Sequence, residues 1–552
     1  SQVSAIAYYE DPKLKFRRVL ATLAGAAPAA PGAFAQTLPS WLSWKKRADD
    51  TVRRELAGLD LGPVPPVICR QHHESHAASA FLASPFESAA VLCIDGVGEW
   101  ATTTLWHGKG THLRQLAQIS FPHSLGLLYS AFTYFCGFKV DSGEYKLMGL
   151  APYGQPRYAD LIREKLIDLK ADGSFRLDQR YFEYLHGQVM TGTAFEKLFG
   201  RPRRQSEGPL TESDFDLAAS IQQVTDEAVL RLGRTAAQRT GETRLCLAGG
   251  VALNCVANGR LIDAGVFSDV WIQPAAGDAG GALGAAMIVA AERGAGRPHV
   301  GQGRDAMSGA LLGPAYSDEE IAEFLDSRGI PHQRLDPAAL ASRVAAELAA
   351  GKVVGWFQGR MEFGPRALGA RSILGDPRNT DMQSTMNLKI KFRESFRPFA
   401  PSVLADQANR YFDLKQASPY MLICSQVAAE QRITPADAGG ATGIDLLRIP
   451  RSTIPAVTHV DSSARVQTVT AADNPAYHAL LTAFDQATGC PVVVNTSFNV
   501  RGEPIVNTPL DAYTCFMRTR IDLLALGGCL LDKADQPDWR EDGNWRETIP
   551  VD

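Results

Sequence analysis

Residues 71–81 read QHHESHAASAF, a run without glycine or proline that sets His72 and His76 four positions apart. On a helix, positions i and i+4 share a face with Cβ atoms about 5–6 Å apart, so two imidazoles placed there can close on one cation. The same spacing also arises in ordinary helices, and only partners elsewhere in the chain turn it into a metal site. Two stretches supply them. The apolar run Ala89–Ile94 predicts a buried strand that delivers Asp95 at its carboxyl end, followed by Gly96, Val97, Gly98 and Glu99. A second apolar run, Val270–Gln273, leads into PAAGDAGGALGAA (274–286), which places Asp278 in a glycine-rich turn ahead of a helix. Two imidazole nitrogens and two carboxylate oxygens suit iron, manganese or zinc better than copper or a structural thiolate-bound zinc.

Working outward, strand patterns at 1–9, 89–95, 101–106, 243–248 and 268–273 alternate with helical ones, which predicts an α/β fold. The longest helical pattern, Asp214–Thr240, aligns Leu217, Ile221, Val224, Ala228 and Leu232 on one face. Residues 24–40 read as an irregular connection before a basic helix at 41–58. Around 294–316 the composition turns to Gly, Arg, Pro and Ser, placing a boundary between domains 1–300 and 301–552. Beyond it a capping box, Ser317 to Glu320, opens one helix, and another runs from Asp336 and Pro337 to Gly351. Strands at 353–357 and 491–494 frame a second α/β unit, and the last twenty residues read as a polar surface tail.

The 552 residues are 45% hydrophobic and 21% charged, enough for two or more cores. A net charge of −4 argues against a broad basic nucleic-acid surface, so no nucleic-acid partner is expected. No apolar run reaches about 18 residues, and the opening SQVSAIAYYEDP lacks a signal-peptide pattern, so no membrane partner is expected and the expected location is cytoplasmic. Nine cysteines, scattered and without a CxxC pair, read as buried thiols.

Two glycine-rich loops and one basic region are the remaining candidates for binding. In LCLAGGVALN (245–254), Gly249 and Gly250 let a ligand approach the backbone, or they serve packing alone. In SGEYKLMGLAPYG (142–154), Glu144 can take ribose hydroxyls and Lys146 a phosphate, or the two form a surface ion pair. Between Arg360 and Arg397 lie eight basic residues and four acidic ones, interleaved with Phe363, Leu368, Ile373, Ile390, Phe392 and Phe396. That interleaving folds guanidinium groups into a partly buried cleft, where anions offset their desolvation, and favours phosphate or carboxylate binding over a solvated face. Arg465, Asn495, Ser497 and Arg501 add donors at strand ends, and Lys391 adds a point charge.

HHESHAASAF, DGVGEW, PHSLGLLYSAFTYFCGF, GEYKLMGLAPYG, AGGVALNCVANGRL, GDAGGALGAA, GRMEFGPRALGARSIL, RESFRPFAPSVL and NTSFNVRGEPIV resemble the O-carbamoyltransferases of natural-product biosynthesis. That family includes the enzymes that carbamoylate tobramycin, nodulation factors, cephems and ansamycins, and the resemblance runs from about Val3 to Leu530. It implies a first domain of the actin-like ATPase superfold, similar to the tRNA threonylcarbamoyl-transfer protein Kae1, and a second domain similar to YrdC. The second domain would join carbamoyl phosphate to ATP, accompanied by Mg, to give carbamoyl adenylate and pyrophosphate. The first, holding Fe(2+), would move the carbamoyl group to a hydroxyl of a small-molecule natural product. Carried over by motif, His72, His76, Asp95 and Asp278 would hold the metal, for which zinc and manganese are alternatives. Gly249, Gly250 and Asn254 would line the adenosine site, and Arg366, Lys391, Arg397, Arg465 and Arg501 would bind carbamoyl phosphate and the ATP phosphates. The resemblance also implies a strand hairpin with a first phosphate loop ahead of SAIAYYEDP (4–12), the stretch at which this sequence begins. The acceptor, a homodimer and the catalytic base stay open, with His73, Glu74 and His123 as possible bases and His73 turned off the metal face. A tRNA acceptor and a non-catalytic nucleotide-binding regulator are the alternative readings.

Overall fold

The computed structural model describes residues 3–27, 31–60, 62–185, 189–298, 303–394, 396–434, 443–539 and 545. The chain divides into two units, Ser1–Ala306 and Met307–Asp552. Both are α/β with mixed sheets.

The first unit is built on a five-stranded sheet ordered His112–Ser120, Ala101–Lys109, Ser88–Ile94, Arg244–Ala248, Asp269–Ile272. Ser88–Ile94 is antiparallel to Ala101–Lys109 and parallel to Arg244–Ala248, which is in turn parallel to Asp269–Ile272. Every residue from Ala89 to Ile94 is buried, as a central strand covered on both faces requires. The His72–Phe81 and Glu212–Thr240 helices both pack against it. The latter buries the aligned face Leu217, Ile221, Val224, Ala228 and Leu232, and it ends at Gly241 in the left-handed conformation. A short parallel pair, Ile6–Tyr8 with Val67–Cys69, brings the N-terminal segment alongside the residues that lead into the histidine helix.

Two sequence expectations need correction here. Of the stretch 24–40 expected to be irregular, residues 31–40 belong to the Pro31–Ser43 helix, which follows a Pro12–Ala26 helix, and the single helix expected over 41–58 is divided between the end of Pro31–Ser43 and a separate Ala48–Ala57 helix. The first two helices each begin with proline, whose fixed φ and missing N–H suit a first helical position. The strand His112–Ser120 was not expected from the sequence; it is an edge strand, and all of its residues are half-buried or exposed.

The second unit carries a nine-stranded mixed sheet ordered Gln333–Arg334, Cys529–Asp532, Leu523–Leu526, Val354–Phe357, Arg371–Gly375, Val492–Ser497, Ala400–Leu404, Ser463–Val469, Ile423–Gln426. Its two leading helices form as expected. Ser317 and Glu320 close a capping box, and Asp336 accepts from the N–H groups of Ala338 and Ala339 ahead of Pro337–Ala349. The core is the buried run Val492–Val494 with Leu523–Leu526, Trp356, Phe357, Tyr477 and Phe484. Most of the expected polar tail lies outside the described residues. All nine cysteines are free, and seven are buried.

Candidate functional site

His72–Phe81 forms a helix in which every residue but Glu74 is buried. Its histidines turn inward toward Asp95, at the end of Ser88–Ile94, and Asp278, the first residue of the Asp278–Glu292 helix. The Nε2 atoms of His72 and His76 lie 3.0 Å apart. Asp95 Oδ2 is 3.1 Å from His72 Nε2 and 3.8 Å from His76 Nε2. Asp278 Oδ1 is 3.5 and 3.7 Å from the same two nitrogens. One ligand atom from each of the four residues falls within 4.8 Å of the others. An ion held at about 2.0–2.2 Å by nitrogen and oxygen spaces neighbouring ligands by about 3.0–3.5 Å, so the residues present fit a divalent cation.

The local electrostatics come from this crowding. Burial alone would disfavour a charged His76 ring, but the Asp278 and Asp95 carboxylates that face it outweigh this and raise the ring to about 9. Burial likewise works against the Asp95 carboxylate, and its hydrogen bond with His72 and the nearby His76 ring overcome this, holding it well below the usual range. The His76 ring 3.7 Å away is the main reason Asp278 is also lowered. The two carboxylates thus draw positive charge onto the His76 ring, which a bound cation would supply instead.

The cluster depends on close backbone packing. A Cβ on Gly284 would sit 1.9 Å from the Ser75 carbonyl oxygen and 2.6 Å from the Ser79 nitrogen, so glycine lets the Asp278–Glu292 helix lie directly on the histidine helix. A Cβ on Gly98 would meet the His72 and His73 side chains at 3.0–3.1 Å. Gly250 N–H donates to Asp95 Oδ1 at 2.8 Å. Gly249, at φ +87°, has the Ile94 carbonyl oxygen 2.3 Å from the position a Cβ would take. Strand-to-strand packing therefore accounts for this glycine.

The other candidates in this unit sit in a polar network. Asn254 caps the Cys255–Asp263 helix, its Oδ1 accepting from Ala257 N–H, and it exchanges two side-chain hydrogen bonds with Gln222. Gln222 also accepts from Tyr129 and donates to Asp226, which burial pushes up to about 7. Glu144 accepts from Ser130 Oγ at 2.7 Å and from Asp141 N–H. Lys146 is 1% exposed, with its Nζ 5.7 Å from the centre of the Phe138 ring, which rules out the surface ion pair with Glu144.

In the second unit, the basic candidates gather around two strands. Asn495 and Ser497 share a face of Val492–Ser497, two residues apart, as Arg465 and Gln467 do on Ser463–Val469. Asn495 Nδ2 donates to Gln467 Oε1, Ser402 Oγ and the Ala367 carbonyl, which anchors the Arg366 loop beside the sheet. Lys391 is buried, and its Nζ reaches Ser497 O, Ser497 Oγ, Asn499 O and Asn499 Oδ1 at 2.6–3.2 Å. Its protons are thus engaged within the protein, and it builds the loop that carries Arg501. Arg501 N–H donates to the Lys391 carbonyl, and Arg397 and Arg501 flank Glu394 at 3.9 and 3.7 Å.

Not every cation of the basic run faces a ligand. Arg371 is fully buried, donates to the carbonyls of Gln358, Ala370, Pro314 and Gly359, and lies 3.5 Å over the Phe357 ring. Glu362, an acid within that run, is its counterpart. Its Oε1 accepts from the N–H groups of Leu368, Ala370 and Arg371, folding the Arg366 loop around a buried carboxylate. Glu362→Ala should destabilise this unit by about 2–4 kcal/mol, since buried N–H donors left without an acceptor cost about 1–3 kcal/mol each before relaxation. Urea unfolding of the full chain checks this.

Residues 2–287 match the family model for the carbamoyltransferase N-terminus, and residues 345–533 match that for the carbamoyltransferase C-terminus. The chain belongs to the carbamoyltransferase family. Relatives of this carbamoyltransferase include an uncharacterized Synechocystis protein, 55% identical over all of this chain and 90% of its own length. Nodulation protein NolO of Bradyrhizobium diazoefficiens is 39% identical over 85% of this chain and 80% of its own. The 3'-hydroxymethylcephem-O-carbamoyltransferase of Streptomyces clavuligerus is 37% identical over 49% of this chain and 45% of its own. Among solved structures, full-length HypF with phosphate and nucleotide bound shares 16% identity at a TM-score of 0.24, over 42% of this chain and 44% of its own.

For a carbamoyltransferase the open question is the base. His73 Nδ1 lies 2.9 Å from Thr104 Oγ1, and burial pulls its ring down to about 3, so it stays neutral and resists taking a proton. His123 Nδ1 accepts from the Leu177 N–H, which commits that lone pair and puts the ring proton on Nε2. Neither ring offers a base to an acceptor hydroxyl in this arrangement. No helix among the described residues is long and apolar enough to cross a membrane.

Proposed function

We propose that the chain is an ATP-dependent O-carbamoyltransferase working through carbamoyl adenylate, with an actin-like, Kae1-like first unit and a YrdC-like second unit. The convergence of His72, His76, Asp95 and Asp278 carries this reading, because transfer from an adenylate needs a site that stabilises charge on a departing phosphate. The relatives' printed names, a nodulation protein and a cephem O-carbamoyltransferase, support a small-molecule hydroxyl as acceptor.

The first half-reaction belongs to the second unit. Carbamoyl phosphate, ATP and water give carbamoyl adenylate, phosphate and pyrophosphate. Water breaks the bond to phosphorus, the carbamate oxygen attacks the α-phosphorus of ATP, and pyrophosphate leaves. Arg366, Arg397, Arg465 and Arg501 meet the anionic charge, with guanidinium forks suited to phosphate oxygens. Lys391, Asn495 and Ser497 hold the loops that present them. A cleft shielded from water keeps the labile anhydride from hydrolysing.

The second half-reaction belongs to the first unit. The acceptor oxygen attacks the carbamoyl carbon, the bond to the AMP oxygen breaks, and the hydroxyl proton passes to a base. Gly250, Asn254 and Glu144 orient the adenylate. Iron, zinc or manganese held by His72, His76, Asp95 and Asp278 would supply Lewis acidity when bound.

The test is a product balance. With ATP and carbamoyl phosphate together, phosphate and pyrophosphate should appear in equal amounts, and neither substrate alone should yield pyrophosphate. Pyrophosphate released from ATP alone, or phosphate without pyrophosphate, would reject the adenylation step.

A further inference from the structure

Glu99 has no role in the site described above, yet it is 3% exposed and its carboxylate lies where two helices begin. His72, the first residue of its helix, donates its backbone N–H to Glu99 Oε1 and Oε2 at 3.0 and 3.1 Å. Asp11 donates its N–H to Oε1 at 2.7 Å. Asp11 is itself the N-cap of Pro12–Ala26, its Oδ1 accepting from the N–H groups of Lys13 and Leu14. One buried carboxylate therefore faces the positive ends of two helix dipoles and takes an amide from each segment.

This bears on the histidines because their hydrogen bonds are made at Nε2, on the side where the four residues converge, and, among the described residues, none is made at the second ring nitrogen. Gln71, at the N-cap position, makes no side-chain cap, and Nδ1 of neither His72 nor His76 has a partner among the described residues. Ligand histidines are ordinarily oriented by a hydrogen bond from their second ring nitrogen. Here the ring directions rest on packing and on the position of the helix backbone. The His72 ring is wedged between Gly98 and Tyr9, whose ring centre lies 5.5 Å away and whose side chain also rests on Gly281 of the Asp278–Glu292 helix. Glu99, the residue after Gly98, holds His72 itself through its backbone N–H and the Tyr9 wall through Asp11, two residues after Tyr9. It does so from the turn that supplies Asp95.

We propose that Glu99 is a positioning residue that clamps the first turn of the histidine helix and the Tyr9–Asp11 segment together, aiming His72 at the metal. The inference rests on the metal reading of the four-residue cluster.

The test uses cobalt(II) as the probe, bound by the full-length chain after chelator treatment and followed by its visible absorption. Glu99→Gln keeps the shape and an acceptor oxygen and should weaken cobalt binding by about tenfold, and Glu99→Ala by about a hundredfold, the range for lost outer-shell support. Hydrogen exchange read on peptides around Asp11 and His72 in the metal-free chain should accelerate in both variants, more in Glu99→Ala, while the Glu212–Thr240 helix stays protected. Asp95→Asn is measured alongside. If the wild-type chain binds cobalt, Asp95→Asn does not, and Glu99→Ala binds like wild type, the positioning role is overturned and the metal reading stands. A wild-type chain that takes up no cobalt overturns both. Weakened binding matched by loss of protection in Glu212–Thr240 also overturns the proposal, because the effect is then general unfolding.

Discussion

Asp95→Asn should lower carbamoyl transfer to a hydroxyl acceptor by about a thousandfold, roughly 4 kcal/mol of transition-state stabilisation, while pyrophosphate release from ATP and carbamoyl phosphate changes by less than about twofold. The substitution is nearly isosteric and keeps the oxygen that accepts from Gly250 N–H, so the turn after Ser88–Ile94 should hold. What it removes is the charge beside His72 and His76, 3.1 and 3.8 Å away, without which the cluster loses half of its negative donors. The unequal effect on the two half-reactions is the informative part. It follows from placing adenylation in Met307–Asp552 and transfer in Ser1–Ala306. Mass spectrometry of the carbamoylated product and of pyrophosphate in one reaction reads both, and equal loss of the two would contradict the division.

Gly284→Val should be the most damaging substitution outside the ligands. The first carbon of any side chain there would lie 1.9 Å from the Ser75 carbonyl, a backbone atom that no rotamer change can move aside. The Asp278–Glu292 helix must then retreat from His72–Phe81. Overpacking of this kind costs about 1–3 kcal/mol and more where the obstacle is backbone, so a loss of about 3–5 kcal/mol is expected. The two helices carry three of the four cluster residues between them, and their separation should also draw Asp278 away from the histidines. Thermal unfolding and metal content measured on the same preparation check both effects. A folded Gly284→Val chain with unaltered metal content would contradict the helix packing described here.

What could be read in the sequence was local. The His72–His76 spacing, the strand that ends at Asp95 and the glycine-rich turn before Asp278 are each contained within about a dozen residues, and period and composition expose them. The helix starts at Ser317 and Asp336 were legible for the same reason, since a cap and the N–H groups it serves are three residues apart. What escaped was set by distant partners. Glu99 acquires its role from amides 27 and 88 positions away. Lys391 read as a phosphate-binding charge until its strand neighbours brought Ser497 and Asn499 to its Nζ, more than a hundred positions along the chain. Lys146 read as a phosphate ligand or as half of a surface ion pair with Glu144, although the fold closes over it beside Phe138. The helix that begins at Pro31 lay hidden in the Pro- and Ala-rich stretch 24–40, because proline both stops helices and starts them and only the residues on either side decide which.

Carbamoyl adenylate, formed in one half-reaction and consumed in the other, is the intermediate to detect. The direct measurement is to incubate the chain with ATP and carbon-13 carbamoyl phosphate, without acceptor, and to look for labelled carbamoyl adenylate by mass spectrometry. The labelled adenylate should appear only when both substrates are present, and should vanish with release of AMP when a hydroxyl acceptor that the chain carbamoylates is added. Carbamoylation of that acceptor in the absence of ATP, or with no labelled adenylate formed on the way, would contradict it.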